Sequence, residues 1–380
     1  MLAHDADLEL FRDNFRRFLA EQIAPHYEHW EKTGIMPRDV WTQLGENGFL
    51  CVDMPEEYGG YGVPTNYSMM LVEEAARAGY GSLSTAISVH SEICAPYILH
   101  IANEAQKQQW IPKMVTGEVV GAIGMTEPGA GSDLQAMRSS AILQGDHYLL
   151  NGSKTFISNG QHADLVILAA KTDPTARAKG VSLLLVDTHL EGFGKGTNLD
   201  KIGLHSQDTS ELFFTDVKVP ADQLLGEAGN GFAYLMNELP RERLGIAVTA
   251  IGAILGCLDV TIQYVGERQA FGQAIGKFQN SRFVLAQAKI EALATQAFVN
   301  QCIEQYMAGQ LDPATASAVK SYATDIQCKV ADDLLQLFGG YGYMTEYPIS
   351  RFYVDARIQR IYGGTNEIMK EVVARDMLGR

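Results

Sequence analysis

Two glycine-rich segments carry the residue types that could form a chemical site in this chain. RIYGGTNEIMK, residues 360–370, places an aromatic residue, two adjacent glycines, a threonine and a single acid ahead of an apolar helical pattern. Adjacent glycines let a backbone approach a ligand closely, but they supply no side chain for chemistry. If this loop lines an active site, the group that acts on the substrate must come from elsewhere in the chain.

The second segment is AIGMTEPGAGSDLQAM, residues 122–137. Met125 and Thr126 end an apolar strand pattern, and the proline and glycines that follow predict a turn whose successive N–H groups point into one concavity. Such a nest of amides suits an anion or an electron-rich ring edge. A plain glycine-rich β-turn is the alternative that these residues alone leave open.

The chain lacks the signatures of several other site classes. GAGSDL, residues 129–134, fails the dinucleotide-binding fingerprint at its third glycine. No GxxxxGK[ST] phosphate loop, HExxH zinc motif or GxSxG nucleophile elbow occurs. His26 and His29 lie three apart with no third ligand nearby, which favours a surface pair over a metal site. No metal is therefore expected.

The chain has three regions that differ in the spacing of their apolar residues. These regions must position the two glycine-rich segments. Residues 1–117 have apolar positions at helical spacing, and long helical patterns return over 226–380, where Asp312-Pro313 has the form of a capped helix start. Residues 118–225 instead contain short apolar runs separated by pairs typical of hairpin turns: Gly145-Asp146, Asn151-Gly152 and Asn159-Gly160. The pattern predicts an α+β chain with an N-terminal helical domain, a middle β-barrel or sandwich and a C-terminal helical bundle.

Composition narrows the class of protein further. The chain has 380 residues, 46% hydrophobic and 20% charged, which is an ordinary soluble composition, and no stretch approaches 18 consecutive apolar residues, so no membrane span is expected. A net charge of −15 makes nucleic acid an unsuitable partner. Five scattered cysteines without a CxxC pair indicate reduced thiols. The acidic N-terminus resembles neither a signal nor a transit peptide, so a cytoplasmic location is expected.

Several motifs, in order along the chain, resemble those of the acyl-CoA dehydrogenase family. TEPGAGSD resembles its first signature, and NGSKTFISNG resembles the strand whose hydroxyl meets the flavin. GERQAFGQAIGKFQ resembles its Arg-x-x-Phe-Gly and Phe-Gln segment, QLFGGYGYMTEYPISRFYVDARI its second signature, and IYGGTNEIMKEVVAR its C-terminal segment. The resemblance implies that the C-terminal domain is a four-helix bundle. It also implies a homotetramer, a dimer of dimers, with one FAD per subunit.

The resemblance implies a cofactor site shared by two subunits. Around the flavin ring it places Met125, Thr126, Gly131, Ser132, Phe156, Ile157 and Ser158. Phe156 and Ser158 stand where the family often has tryptophan and threonine, so an aromatic ring and a hydroxyl are retained. From the neighbouring subunit, the segments that reach the FAD phosphates and adenosine contribute Arg268, Phe278, Gln279, Gln336, Gly339 and Gly340. Thr365 and Glu367 are expected to face the adenine-diphosphate portion.

Some of these residues have simpler alternatives. Arg268 could be a solvated helix charge, although its guanidinium is well suited to phosphate oxygens. Gly339 and Gly340 could end a helix. Phe271 and Phe278 are expected to pack in the core, even though Phe278 falls within the cofactor-binding segment. The implied substrate contacts are Ser132, Arg243, Tyr362 and Gly363.

The family reaction requires a base that this loop lacks. A carboxylate takes the α-proton of an acyl thioester while flavin N5 accepts the β-hydride, and a flavin ribityl hydroxyl and the backbone N–H of the loop residue, here Gly363, bind the thioester carbonyl. Most members carry the glutamate base at that position. The long-chain and isovaleryl branches carry it on an earlier helix, and NELPRERLGIAV matches them. The resemblance therefore implies that Glu242 is the base, with a pKa raised by burial.

Three alternatives to that assignment are open in the sequence. Glu367 is nearer to Gly363 along the chain. Glu238 lies four residues before Glu242, but Pro240 between them makes a regular helix there doubtful. Glu242 could also be an exposed helical acid beside Arg243, although adjacent helical residues do not face each other.

The expected activity is FAD-dependent α,β-desaturation of an acyl-CoA thioester to trans-2-enoyl-CoA in fatty acid β-oxidation. Electrons would pass to an electron-transfer flavoprotein. A flavin oxidase or monooxygenase that uses O₂ and a catalytically silent flavin-binding assembly protein are the alternatives. The pairing of Gly363 with Glu242 favours long or branched acyl chains by analogy with those branches.

Overall fold

The computed structural model describes residues 6–379, which form a helical region, a β-region and a second helical region in chain order. Seven α-helices make up the first region within the described residues, and their buried aromatic and aliphatic faces form a common core. Two π-helical segments, Leu19–Ile23 and Ser88–Cys94, join α1 to α2 and α5 to α6. The helices are α1 Ala6–Phe18, α2 Ala24–Thr33, α3 Asp39–Glu46, α4 Thr65–Arg77, α5 Gly81–Ile87, α6 Ala95–Ile101 and α7 Glu104–Val115.

The β-region is one mainly antiparallel sheet around its own hydrophobic core. In the described residues its strands run in the order β6-β7-β3-β2-β4-β5-β8, and β1 pairs in parallel with β4. The strands are β1 Gly121–Gly124, β2 Ser140–Gln144, β3 His147–Ser158, β4 Leu165–Lys171, β5 Val181–Asp187, β6 Phe193–Asn198, β7 Thr209–Pro220 and β8 Leu224–Leu225.

The predicted hairpin turns have different outcomes. Gly145-Asp146 joins β2 to β3 as predicted, and Asn159-Gly160 follows the end of β3 in a turn. The prediction of a turn at Asn151-Gly152 is wrong. That pair lies inside the 12-residue strand β3, where the register with β7 shifts and Gly152 has a φ of +144°. A glycine there allows a β-bulge to bend a continuous strand.

The C-terminal region is built around three long helices, and two shorter ones close the described chain. Asp312 accepts hydrogen bonds from the Ala314 and Thr315 amides at the start of α10, so the predicted capped start is confirmed. A short hairpin, β9 Gln269–Ala270 and β10 Gln273–Ala274, follows α8. The helices are α8 Gly231–Glu267, α9 Gln279–Met307, α10 Pro313–Gln336, α11 Pro348–Gln359 and α12 Asn366–Leu378.

Helix α8 is the longest helix of this region. Its 37 residues continue through Pro240, so the prediction of an irregular helix there is wrong. Proline removes one backbone hydrogen bond, but neighbouring helices bury most of this helix and hold its path. By length and composition alone α8 could cross a membrane. However, 78% of its most apolar stretch is buried inside the protein, as in a core helix.

Candidate active site

The helical run 81–101, from α5 to α6, forms one wall of the candidate site, because parts of the other two regions contact it. Near its start, the Asn159 side-chain amide donates to the Ala86 carbonyl oxygen at 3.1 Å. Near its end, the Tyr97 hydroxyl donates to Oε1 of Glu242 at 2.8 Å. The end of β3 and the first part of α8 therefore meet on the same wall.

Glu242 is a buried acid, with 4% of its surface exposed, so the exposed alternative is wrong. Burial raises the pKa of its carboxyl group to about 7, against the opposing effects of the Tyr97 hydrogen bond and the Arg243 charge. The expected rise is thus confirmed, and desolvation is its main cause. A carboxyl group with this pKa can both take and release a proton near neutral pH.

Arg243 points away from that carboxyl group. Its Nη1 atom donates to Oγ of Ser317 on α10 at 3.1 Å, and its buried Nε has no hydrogen-bond partner. Adjacent positions on a helix project in different directions, which explains the separation from Glu242. The predicted substrate contact of Arg243 remains a prediction, for which the unpartnered Nε is the available donor.

The loop at Gly363 faces the same side of α8 as Glu242. Gly363 and Gly364 have φ values of +62° and +90°, in the region that favours glycine. A Cβ added to Gly363 would overlap Cδ1 of Ile246, which lies four residues after Glu242 on one face of α8. The glycine thus permits a backbone path close to the helix that carries the buried acid.

A buried lysine holds this loop from beneath. Lys320 donates from Nζ to the Gly364 carbonyl oxygen at 2.8 Å and to Oδ1 of Asn366 at 3.0 Å. Burial, followed by the nearby charge of Arg243, lowers the pKa of Lys320 to about 8. Hydrogen bonds from a buried side chain of the C-terminal region therefore stabilise the loop, in addition to the contacts within its own turn.

The other two predicted residues of this loop already have local partners. Thr365 caps α12, because its hydroxyl accepts a hydrogen bond from the Ile368 amide. The Tyr362 hydroxyl donates to Oε1 of Gln359 at 2.7 Å, and burial raises the pKa of Tyr362. Roles for these two side chains toward cofactor or substrate remain predictions.

Lys154 joins the two segments that the sequence assigns to the flavin ring. Its buried Nζ donates to the Met125 carbonyl oxygen at 3.1 Å and to Oε1 of Glu127 at 2.8 Å. The Thr155 amide also donates to the Thr126 carbonyl oxygen at 2.9 Å. The residues around 125 and 155 are therefore parts of one surface.

Phe156 protrudes from that surface. It has a φ of +59°, lies where β3 shifts register against β7 between Lys154 and Ile157, and leaves 68% of its surface exposed. A non-glycine residue in this conformation is uncommon and is often associated with a functional site. Ser158 is half-buried beside it. The Ile157 side chain is in the β-core, so only its backbone could reach a flavin.

The glycine-rich turn is open to solvent at Gly131 and Ser132. Glu127 and Ala130 exchange backbone hydrogen bonds of 2.9 and 3.0 Å, which fold the turn. Gly131 and Ser132 are exposed beyond it, and a Cβ added to Gly131 would meet no atom within 4 Å. The predicted turn is present: the Glu127 and Ala130 amides are bonded within it, and Gly131 and Ser132 are exposed.

Four of the eight residues assigned to the phosphates and adenosine line a different groove, of about 530 Å³. The Arg268 guanidinium lies over the Tyr341 ring, 5.2 Å from its centroid, and Gln336, Gly339 and Gly340 line the same groove. Arg268 follows the last residue of α8, whereas Glu242 is near its beginning. At 1.5 Å per residue the two are about 39 Å apart along the helix.

Two phenylalanines near this groove depart from expectation. Phe271 is 96% exposed, so the prediction that it packs in the core is wrong. It occupies the two-residue turn of the β9–β10 hairpin with Gly272, and both have positive φ, as such tight hairpins require. Phe278 is half-buried and meets the Phe271 ring edge to face at 6.1 Å. Gln279 is exposed at the start of α9 and does not line the groove.

Comparison with known proteins identifies this arrangement. Three family models match in order: acyl-CoA dehydrogenase N-terminal domain over residues 5–118, middle domain over 122–217 and C-terminal domain over 229–378. The long-chain specific acyl-CoA dehydrogenase of Sus scrofa is 46% identical over 97% of this chain and 86% of its own. The chain belongs to the acyl-CoA dehydrogenase family. It is an oxidoreductase of that type, as the resemblance implied.

Solved structures of acyl-CoA dehydrogenases and related flavoproteins confirm the α+β fold. An acyl-CoA dehydrogenase from Geobacillus kaustophilus has a TM-score of 0.96 and 47% identity over 99% of both chains. A chain from a structure of the electron transferring flavoprotein of Acidaminococcus fermentans has a TM-score of 0.97 and 36% identity, and each chain is covered over its full length. The predicted architecture is therefore correct for the family and the fold.

The residues present fit the FAD that acyl-CoA dehydrogenases use. Phe156 offers an exposed aromatic face and Ser158 a half-buried hydroxyl, on a strand joined to residues 125–127 by Lys154 and Thr155, and this combination suits a flavin ring. The groove at Arg268 combines a guanidinium with exposed glycines, which suits phosphates. Within residues 6–379, no group of three His, Cys, Asp or Glu residues is placed to hold a metal ion.

The two other acids considered as bases have different surroundings from Glu242. Glu367 is exposed at the start of α12, where its own backbone amide helps to lower its pKa. Glu238 is buried, and its Oε1 lies 2.9 Å from Nδ1 of His100. Glu367 therefore lacks burial, and the Glu238 carboxyl group already has His100 as its partner. The geometry therefore favours Glu242.

Sequence reasoning missed the groups that hold this site in place. Tyr97 and Lys154 contact the assigned residues Glu242 and Met125, and Lys320 contacts Gly364, next to the assigned Gly363. Each of the three side chains is fully buried. A lysine inside an apolar helix or strand pattern is a signal that could have identified two of them, because lysine is rarely buried without a partner. Nothing in the local pattern around Tyr97 distinguishes it from an ordinary core residue.

Proposed function

We propose that this chain oxidises an acyl-CoA thioester to the trans-2-enoyl-CoA with Glu242 as the base. The observation that carries the proposal is a buried carboxyl group with a pKa near 7 facing a glycine loop that is free of side chains. A bound flavin supplies the hydride acceptor. A cytoplasmic location stays part of the proposal, on the sequence expectation alone.

Glu242 takes the proton from the carbon next to the thioester carbonyl. Because that proton is weakly acidic, the charge that develops on the carbonyl oxygen must be stabilised at the same time. The Gly363 N–H is the proposed donor, and the bond from Lys320 to the Gly364 carbonyl oxygen keeps this loop in one conformation. The proposed base therefore lies on α8, and the proposed hydrogen-bond donor to the thioester carbonyl lies on the loop before α12.

The experiment that tests this function is anaerobic bleaching of the flavin by acyl-CoA thioesters. Butyryl-, isovaleryl- and palmitoyl-CoA are compared, with the two larger substrates expected to bleach fastest if Gly363 and Glu242 mark the long or branched class. Reoxidation by a one-electron acceptor, with little reoxidation by air, supports transfer to an electron-transfer flavoprotein. Rapid reoxidation by air favours an oxidase, and failure to bleach with all three thioesters contradicts the proposal.

The pH dependence of bleaching is expected to depend on Tyr97. Glu242 must be ionised to act, so the bleaching rate should fall as the pH drops below about 7. A hydrogen bond to a charged group contributes about 1.5–3 kcal/mol, so Tyr97→Phe should move this fall by about one to two pH units to higher pH. The sign follows because the lost hydrogen bond favoured the carboxylate.

Tyr58→Phe is the matched control for that measurement. The Tyr58 hydroxyl also donates to a carboxylate, Oε2 of Glu104 at 2.9 Å, but at the surface of the N-terminal region. Its pH profile should coincide with that of the unmodified protein. An unchanged profile for Tyr97→Phe would show that this hydroxyl does not set the proton affinity of the base.

We propose also that the chain assembles into a homotetramer in which each FAD is shared by two subunits. The separation of about 39 Å between Glu242 and Arg268 along α8 supports this, since one dinucleotide does not extend over that length. Helix α9 presents an exposed apolar face, which suits a helix–helix interface: Phe283, Ile290 and Leu293.

Mixed assemblies of two inactive variants test the sharing. Glu242→Gln lacks the base and Arg268→Gln weakens the phosphate contact, so each alone should bleach poorly. If the residues of one site come from two subunits, a hybrid assembly contains one type of site with both residues intact and regains bleaching. Light scattering measures the assembly size. Recovery would be absent if both residues served the same site within one chain.

A further inference from the structure

Helices α6 and α8 are joined by two polar contacts that lie one helical turn apart. Tyr97 on α6 meets Glu242 at 2.8 Å, and His100 on α6 meets Glu238 at 2.9 Å. The residue number rises on α6 as it falls on α8, so the helices run antiparallel. Positions three or four apart on a helix share a face, which places both contacts in one row.

This row leads from the interior to the surface. The Tyr97 side chain has no exposed surface, Glu242 has 4% and Glu238 has 9%. The His100 side chain is 42% exposed. The base needs such a connection, because a buried carboxyl group that gains one proton in each turnover must lose it before the next.

We propose that this row of four side chains, Glu242, Tyr97, Glu238 and His100, is the route by which the substrate's α-proton reaches solvent. The inference rests on the proposed function, because it takes Glu242 as the group that receives this proton. His100 is the solvent end of the route. Glu238 and Tyr97 transfer the proton between the base and His100.

The proton transfer balances at each step. The hydrogen bonds described for Tyr97 and Glu238 do not join them to each other, so the proposed route includes one water molecule between them. The protonated Glu242 donates to the Tyr97 oxygen while the Tyr97 hydroxyl gives its own proton through that water to the Glu238 carboxylate, so the tyrosine stays neutral. Glu238 then donates to Nδ1 of His100, and the resulting imidazolium releases the proton on Nε2 to water. Both carboxylates return to their starting charge, and solvent exchange restores the imidazole tautomer.

The surroundings of the row are consistent with these roles. Burial raises the pKa of Tyr97 well above its usual value, and the charges of Glu242 and Glu238 raise it further, so this hydroxyl carries a proton without ionising. The charge of Glu238 also raises the pKa of Glu242, as is expected for two carboxyl groups one turn apart on α8. Of the other titratable groups near the base, Arg243 lies on α8, and the buried Cys94 thiol ends the π-helical segment.

A structural role for the same contacts makes a different prediction. If His100 and Glu238 only tie α6 to α8, replacing His100 changes stability but not the timing of proton release. A small base in solution replaces a lost proton acceptor, but it does not replace a lost helix–helix contact. Chemical rescue therefore separates the two explanations.

The test follows bleaching and proton release together in a stopped-flow instrument. The FAD-loaded protein is mixed without oxygen, in weak buffer above pH 7 with an indicator dye, with whichever of butyryl-, isovaleryl- or palmitoyl-CoA bleaches it fastest. In the unmodified protein the two signals should coincide. In His100→Gln and Glu238→Gln, bleaching should proceed while proton release lags by about tenfold or more. Added imidazole should remove the lag in His100→Ala.

His189→Gln is the matched control, because Nδ1 of His189 lies 2.8 Å from a carboxylate of Asp187 at the surface of the β-region. It should show no lag. Proton release that keeps pace with bleaching in both His100→Gln and Glu238→Gln overturns the route and leaves the proposed function intact. A lag that imidazole does not change in His100→Ala also overturns it. Absence of bleaching in the unmodified protein overturns the proposed function and this inference together.

Discussion

Glu242→Gln should lower the rate of flavin bleaching by acyl-CoA by about 10²- to 10⁴-fold, the usual contribution of a general base. Glutamine keeps the size of the side chain and can still accept the Tyr97 hydrogen bond, which is 2.8 Å long in the native protein. It cannot take a proton. FAD content, read from the flavin absorbance per protein, should remain normal, because Glu242 lies far from the groove at Arg268.

Asp259→Asn is the matched control for this loss. Asp259 is an exposed acid on the same helix, paired at 2.8 Å with Arg77 at the surface. Its bleaching rate should equal that of the unmodified protein. Full bleaching in Glu242→Gln would exclude Glu242 as the base, and Glu367→Gln would then be the variant to examine.

Arg241→Met should lower the free energy of unfolding by about 3–5 kcal/mol, the usual cost of removing one partner from a buried charge cluster. Arg241 donates from Nη2 to Oδ2 of Asp53 at 2.6 Å and to Oε2 of Glu92 at 2.9 Å, and all three side chains are buried. Ser68 also donates to Glu92. Without the guanidinium, two carboxylates remain between the N-terminal helices and α8 with no positive charge to compensate them.

The loss of unfolding free energy in Arg241→Met should become smaller as the pH falls. Burial raises the pKa of Glu92 above its usual value of 4.5 even with Arg241 present, and removing the arginine raises it further. A carboxyl group with a raised pKa in the folded state destabilises the protein above its unfolded pKa. The loss in Arg241→Met should therefore shrink as the pH falls toward 4.5.

Urea unfolding measures this loss, with two comparison variants. Arg77→Met removes an arginine from the exposed pair with Asp259 and should cost about 0–1 kcal/mol. Adding Asp53→Asn and Glu92→Gln to Arg241→Met should restore part of the stability, because the uncompensated charges are then absent. Equal costs for Arg241→Met and Arg77→Met would contradict the account of a buried charge cluster.

Local features of the fold could be predicted because neighbouring residues decide them. The helical, β and helical order follows from periodicity, and the Asp312 cap and the Gly145-Asp146 turn follow from side chains that act within a few residues. The Asn151-Gly152 pair shows the limit of this reasoning. The same dipeptide occurs both in turns and in β-bulges, and the pairing of β3 with β7 makes this one a bulge.

The predicted site depended on motif spacing, and the structure brought its parts together in two separate places. Met125, Thr126, Phe156 and Ser158 share one surface, and Arg268, Gln336, Gly339 and Gly340 share another. Phe271 was placed wrongly because an aromatic ring usually packs inside, whereas a tight hairpin fixes this one at the surface. Pro240 was expected to interrupt a helix that neighbouring helices hold continuous.

The amino-acid sequence by itself determined the order of the regions, the glycine at 363 and the presence of an acid at 242. Tertiary structure decided that this acid is buried, that its pKa rises to about 7 and that a tyrosine 145 positions away donates to it. The physical reason is that turn and helix preferences act over a few residues. Desolvation and the partners of a buried charge are set by segments that meet only when the chain folds.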